Sequence, residues 1–278
     1  VNVDDLKYPL VSIVIPVKNG LPYLVECIQS VLATDYPNLE IVVSDDGSVD
    51  GSTEYLYNLR IDQLTVFHPE RPLSIGDHWT FVSRLASGKY IKLLCSDDTI
   101  TKNGILNQVF VLEQNDQVCM VSSKRKIIDK KGLTLLRSFG SDRKQKTLDG
   151  RLALKKSIKS GTNIFGEPSS VMFRREQFME CMPWNDTLPY VLDLDFYSKL
   201  LLLPKSQVHL ASSVDATFRV HGGSLSSRIQ KDQTREFLTF VDLHKEELEF
   251  DQFQLILVKL KVRFKTKVRR FIFFLARI

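Results

Sequence analysis

Two pairs of adjacent aspartates, Asp45-Asp46 and Asp97-Asp98, each close a short run rich in aliphatic residues. Packed carboxylates repel one another and stay together only where a cation or hydrogen-bond donors compensate. Hard oxygen ligands of this kind suit magnesium or manganese better than softer metals. Further along, Asp193 and Asp195 precede an apolar stretch, and His221 stands between Arg219 and Gly222-Gly223-Ser224. An ionised carboxylate can take a proton from a hydroxyl, and an imidazole can donate, accept or ligate. Each has a bland alternative. Asp45-Asp46-Gly47-Ser48 also reads as a turn and helix start, Asp193 and Asp195 also suit a helix start, and a lone histidine is more often structural. A second aspartate pair at a matching place weighs against the turn reading for the first.

The elements that must hold these residues follow from periodicity. Residues 10–16 and 39–43 read as buried strands, as do 64–67 and 90–94. Between them Pro22 opens a helix with Leu24, Ile28, Val31 and Leu32 at helical spacing, and residues 52–59 form a second. This rhythm predicts an α/β fold, a mixed and mainly parallel central sheet flanked by helices. Ligands in such sheets sit beyond the carboxyl ends of the strands, where both aspartate pairs fall. The second half reads as a hairpin at 127–133, strands at 169–173 and 215–220, and a helix from Asp195 to Leu203 ended by Pro204.

Composition sets limits. The chain has 278 residues, 43% hydrophobic and 26% charged, enough to bury one large core. Cys27, Cys95, Cys119 and Cys181 form no C-x-x-C pair, so neither a zinc site nor a redox pair is expected. The amino terminus lacks the basic-then-apolar order of a signal peptide, and no run approaches the roughly 20 apolar residues of a membrane span. Of the net charge of +5, residues 251–278 carry +7, from eight Lys or Arg against Asp251. Leu257, Leu260, Phe264, Val268, Phe271 and Leu275 recur there at three- and four-residue steps, predicting a C-terminal basic amphipathic helix. That tail either lies on an anionic membrane surface or packs on the body or a twin subunit. No nucleic-acid-binding module accompanies the charge.

Four segments in order carry a family resemblance over about residues 10 to 227. They are residues 11–20 with 41–52 (ending Ser44-Asp45-Asp46-Gly47-Ser48-Val49-Asp50-Gly51-Ser52), residues 88–98 (ending Cys95-Ser96-Asp97-Asp98), residues 190–196 and residues 218–226. Together they resemble the family 2 glycosyltransferases of the GT-A fold. The resemblance implies a domain at 1–227, and the tail's charge and periodicity make 228–278 a helical, basic amphipathic extension. The resemblance also implies an inverting, Mn²⁺- or Mg²⁺-dependent enzyme moving a sugar from a nucleotide-diphosphate donor to a glycan or lipid-linked acceptor. Such an enzyme would work in the cytoplasm, at most peripherally at the inner membrane face. By the same resemblance Asp46 would bond the donor's base, with the backbone of Pro16, Val17, Lys18 and Asn19 lining that pocket. Asp97 would approach the ribose or the metal, and Asp98 would hold the metal. His221 would be a further metal or diphosphate contact, with Arg219 a weaker candidate. Asp193 would be the general base. Sugar nucleotidyltransferases and degenerate binding modules are the competing classes. The chain departs from the family pattern at Cys95, which replaces the first acid of D-x-D-D, and at Leu192, which replaces the acid before the base. It departs again at Lys18, where an aromatic residue is usual, and at Gly76-Asp77-His78-Trp79, expected only to line the cleft.

Overall fold

The computed structural model describes residues 8–140, 145–224 and 232–275, with side chains as far as Val268. Strands β1 (Val11–Val17), β2 (Leu39–Asp45), β3 (Leu64–Phe67) and β4 (Tyr90–Leu93) alternate with helices α1 (Tyr23–Leu32), α2 (Ser52–Asn58) and α3 (Ile75–Arg84). All seven residues of β1 are buried, as a strand covered by helices on both faces requires. The chain continues through β5 (Thr99–Ile100), α4 (Gly104–Gln114), β6 (Val118–Ile128), β7 (Thr134–Phe139) and β8 (Lys146–Asp149). There follow α5 (Gly150–Ser160), β9 (Val171–Arg174), α6 (Arg175–Glu180), α7 (Leu192–Leu201), β10 (Gln207–Arg219), α8 (Gln233–His244) and α9 (Gln252–Leu275).

Among the described residues the strands form one sheet in the order β3-β2-β1-β4-β9-β6-β10-β5, with β7 on β6 and β8 on β10. β3, β2, β1 and β4 run parallel, and β9 enters antiparallel between β4 and β6. β10 is parallel to β6, so it points the same way as β4. One edge of the sheet therefore gathers the carboxyl ends of β1, β2, β4, β6 and β10 and the amino ends of β5 and β9. Residues distant in sequence meet there.

Several boundaries differ from the periodicity reading. Gly76-Asp77-His78-Trp79, expected only as cleft lining, belong to the first turns of α3, which Ser74 caps by accepting from the Asp77 N–H at 3.2 Å. The strand expected at 169–173 starts at Val171, after a single 3₁₀ turn over Pro168–Ser170. The strand expected at 215–220 is the end of the thirteen-residue β10. Helix α7 begins at Leu192, so Asp193 and Asp195 both stand in its first turn. Tertiary packing set that start: a 3₁₀ turn at Pro189–Val191 leads into α7, and the Tyr190 N–H is held by the Glu236 carboxylate at 2.6 Å.

The boundary expected between 227 and 228 falls in residues 225–231, outside the described residues, as do Val1 to Asp5 and Arg277. Beyond that segment, Phe237, Phe240, Val241, Val258 and Val262 share a core with α7, β6 and β10. Helix α9 is anchored by Val258, Val262 and Thr266 at four-residue steps. Gly161 closes α5 in the left-handed region at φ 72°, and a Cβ there would lie 3.0 Å from the Val262 nitrogen, so its absence lets α9 cross close. Among the residues whose side chains are described, the apolar positions singled out in the tail pattern are not the ones that pack. Leu257, Leu260, Phe264 and Val268 are exposed, and the side chains of Phe271 and Leu275 lie outside the described residues.

Candidate active site

The loops after β1 and β2 are laced together by side chains that cap each other's backbone. The Asn19 N–H donates to Ser48 Oγ at 2.8 Å, and the Val49 N–H returns a bond to Asn19 Oδ1 at 2.9 Å. Gly20 N–H reaches Ser52 Oγ, and Leu21 N–H reaches Asp50 Oδ2. Asp45 turns into its own loop and accepts from the Ser48 N–H and the Ser48 and Thr53 hydroxyls. The turn reading thus describes Asp45 but not its neighbour. Asp46 is buried, takes the Lys18 ammonium at 2.6 Å on one oxygen, and accepts the Leu73 N–H at 3.0 Å on the other. Its own N–H donates to Val17 O at 2.9 Å, which sets the backbone of Pro16, Val17, Lys18 and Asn19 beside it. Behind this pair, His78 Nε2 lies 3.0 Å from Ser44 O, and burial holds its imidazole below the usual histidine range.

Cys95, Asp97 and Asp98 follow β4, and their ligand atoms lie within 4.8 Å of one another. Asp98 is buried, accepting Ser169 Oγ–H at 2.6 Å and the Arg219 N–H at 2.9 Å. Desolvation, then the charge of Asp97, pushes its carboxyl well above the ordinary range. Burial likewise raises the Cys95 thiol far above its usual value, so it stays protonated and is a poor partner for a hard cation. Two donors occupy Asp98, leaving about two of its four lone-pair sites, and Asp97 stands a quarter exposed with His221 Nε2 at 2.9 Å. Two carboxylates and an imidazole fit Mg²⁺ or Mn²⁺, whose charge would relieve the repulsion that raises Asp98.

Arg219 and His221 leave the end of β10 facing α1. Arg219 is only 1% exposed. Its guanidinium lies over the Tyr23 ring at 4.5 Å and donates to Asp97 O, Asp129 O and the Glu26 carboxylate. Its donors are therefore committed to protein groups, and it braces the acid pair against α1. The His221 ring packs on Tyr23 with centroids 4.9 Å apart. Leu225 and Ser226 of the fourth motif lie outside the described residues.

Asp193 is only partly exposed, and its partners differ from those of Asp195. Its oxygens accept Asn163 Nδ2–H at 2.8 Å and the Leu194 N–H at 2.7 Å. Desolvation, then the Glu167 charge, pushes its carboxyl up to about 7. Asp195 turns instead toward Lys199, 3.7 Å away; burial raises its carboxyl above the ordinary range, and the Lys199 charge and then His244 offset part of that. Three residues of this region were not found by sequence motifs. Asn163 and Glu167 come from the loop after α5, and Arg125 from β6; its guanidinium meets both Glu167 oxygens, at 2.6 and 3.1 Å. Glu167 acts on Asp98 and Asp193 alike, so it lies within electrostatic reach of both. Position 192 is a leucine, and the acid whose charge reaches the expected base is Glu167, from a loop. Only the Asn163-x-x-x-Glu167 segment before Pro168 hints at it in sequence.

Comparison with known proteins bears on the family and the fold. The model of the family described as glycosyl transferase family 2 matches residues 12–178. An uncharacterized glycosyltransferase of Rickettsia felis is 32% identical over 230 residues, covering 81% of this chain and 36% of that protein. The chain thus spans about a third of that relative. Among solved structures, S. aureus TarS 1-349 in complex with UDP-GlcNAc superposes with a TM-score of 0.67 at 15% identity, over 91% of this chain and 71% of that one. The mannosyltransferase PcManGT of Pyrobaculum calidifontis, in complex with GDP-Man and Mn2+, gives 0.62 at 15% identity, over 91% and 74%. At such identity these two speak for the fold. The matched span holds both aspartate pairs and the sheet edge that joins them, and the chain belongs to glycosyl transferase family 2.

Proposed function

We propose that this chain moves a sugar from a nucleotide-diphosphate donor onto a hydroxyl of a glycan or lipid-linked acceptor, with inversion at the anomeric carbon. The acceptor oxygen forms a bond to that carbon as the bond to the diphosphate oxygen breaks. The nucleoside diphosphate leaves with the electron pair, and the hydroxyl proton passes to the Asp193 carboxylate. The observation that carries this reading is the gathering of Asp46, Asp97 and Asp98 on one sheet edge, with Asp193 reached from that edge through Glu167.

In this reading the Asp46–Lys18 pair faces the base, offering an acceptor beside a donor. Asp97 and Asp98, with His221 alongside Asp97, would hold Mn²⁺ or Mg²⁺. When bound, the cation offsets charge on the departing diphosphate. Asn163 orients the base by its bond to Asp193 Oδ2. A carboxyl near 7 is half ionised at neutral pH, which suits a group that must take a proton and then release it. One base is enough, because the leaving group needs no protonation.

Incubating the purified chain with UDP-, GDP- and dTDP-sugars, with and without Mn²⁺, should give metal-dependent release of one nucleoside diphosphate. Asp193→Asn should abolish transfer while keeping donor affinity within about twofold. Silence across the panel would favour a binding module, and full turnover in the variant would remove Asp193 from its role.

A further inference from the structure

Helix α9 carries two apolar stripes, and the body covers only one. Val258, Val262 and Thr266 are buried against the body. Phe253, Leu257, Leu260, Phe264 and Val268 form a second line, centred about 160° round the helix from the first. Phe253 is 68% exposed, Leu260 58% and Phe264 67%, and Ile256 at 56% widens the stripe on one side. An apolar face of this size and continuity is not ordinary surface.

The charges that α9 itself carries from 252 to 268 are all of one sign. Lys259, Lys261, Arg263, Lys265 and Lys267 interrupt the stripes, with no acid between residues 252 and 268. At 100° per residue, Lys261 and Lys265 fall on one flank of the exposed stripe, and Lys259, Arg263 and Lys267 on the other. The neighbouring helix α5 extends the same field, since Lys261 Nζ bonds Lys159 O at 3.1 Å and Lys155 lies beside Phe250 at the foot of α9. Glu246, Glu247, Glu249 and Asp251 lie before the helix. Helix α8 with its N-cap residue, packed against α9 through Thr234 and Thr266, adds Asp232, Glu236 and Asp242, of which Asp232 pairs with Arg235 and Asp242 with Lys245. Among the described residues no helix is long and apolar enough to cross a membrane.

We infer that α9 is an in-plane anchor that lies on an anionic lipid surface, with Phe253, Leu257, Leu260, Phe264 and Val268 among the acyl chains and the flanking lysines and arginine at the headgroups. Apolar area and charge act together in such binding, so both are required. A docking protein would need acidic groups on both sides of an apolar ridge; a lipid surface supplies that arrangement everywhere.

The test is co-sedimentation of the chain with phosphatidylcholine vesicles, alone or with about one-third phosphatidylglycerol. Binding should appear with the anionic vesicles, stay at least about tenfold weaker with the neutral ones, and fall as salt rises. Leu260→Glu with Phe264→Glu should abolish it, and these exposed positions leave the core untouched. Lys259→Gln with Lys267→Gln is a milder second variant, expected to cut anionic binding severalfold. Wild-type protein left in the supernatant, or equal binding by the Glu variant, would overturn the inference. So would sedimentation showing a dimer that the Glu variant splits, with no vesicle binding, because the stripe would then belong to a second copy. Donor hydrolysis in solution is read separately, so either result stands without the other.

Discussion

Asp193 holds its charge in surroundings that penalise it, and one substitution removes the penalty. An ordinary aspartate titrates near 3.8, and this one is pushed up to about 7. Between those values the unfolded chain has released the proton while the folded chain still holds it. Stability therefore falls as pH rises from 3.8 through 7, then levels off. For one such group the loss is about 1.7 kcal/mol at pH 5 and about 4.3 kcal/mol at pH 8, a difference of about 2.6 kcal/mol. Asparagine fills the same space and cannot titrate. Asp193→Asn should therefore gain about 2 to 3 kcal/mol relative to wild type between pH 5 and pH 8. The comparison of two pH values cancels any fixed change from altered bonds to Asn163 and Leu194. Urea unfolding of both proteins at both pH values, with chelator present so that no metal binds, measures it. A difference below about 0.5 kcal/mol, or one of opposite sign, would refute the reasoning. Together with lost transfer, the gain would mark Asp193 as a position where stability is given up for chemistry.

Two further outcomes follow from the surrounding contacts. Glu167→Gln removes a negative neighbour and frees the Arg125 charge, and both effects lower the Asp193 carboxyl. The acid limb of kcat/KM should shift down by about one pH unit, and an unmoved limb would show that Glu167 does not act on the base. Ser169→Ala removes the hydroxyl that donates to Asp98 at 2.6 Å. Mn²⁺ affinity, read by paramagnetic resonance, should weaken about tenfold, and unchanged affinity would argue against Asp98 as a ligand.

Much of the fold was legible because its first half is periodic. Strands β1, β2 and β4 are short aliphatic runs that end in turn or acidic residues, and their carboxyl ends necessarily share an edge once they pair in parallel. The aspartate pairs could be placed from that alone. Helix α3 was missed because its buried face includes Gly76, His78, Thr80 and Ser83, which carry little apolar signal. The same holds for the polar groups at the centre of the sheet. Lys92 is wholly buried on β4 and bonds Gln108 and Val171 O, and burial brings its ammonium down to about 7. No pattern of alternation predicts such a group.

What sequence alone determined about this protein is the set of local elements and the order of its acidic motifs, because helix and strand period, turns and adjacent carboxylates are written in neighbouring residues. Which carboxylate of each pair does what was decided by local and distant partners together: Ser48 and Thr53 claim Asp45 and Lys199 draws Asp195 within their own loop and helix, while Lys18 and the Leu73 N–H hold Asp46, Ser169 and Arg219 hold Asp98, and Asn163 holds Asp193. The same is true of the face that α9 leaves uncovered, since two apolar stripes look alike until a body packs on one of them. Short-range propensity fixes where a side chain stands along its element and which near neighbours it can meet; for Asp46, Asp98 and Asp193, partners brought in from tens of residues away or more fix what the charge meets.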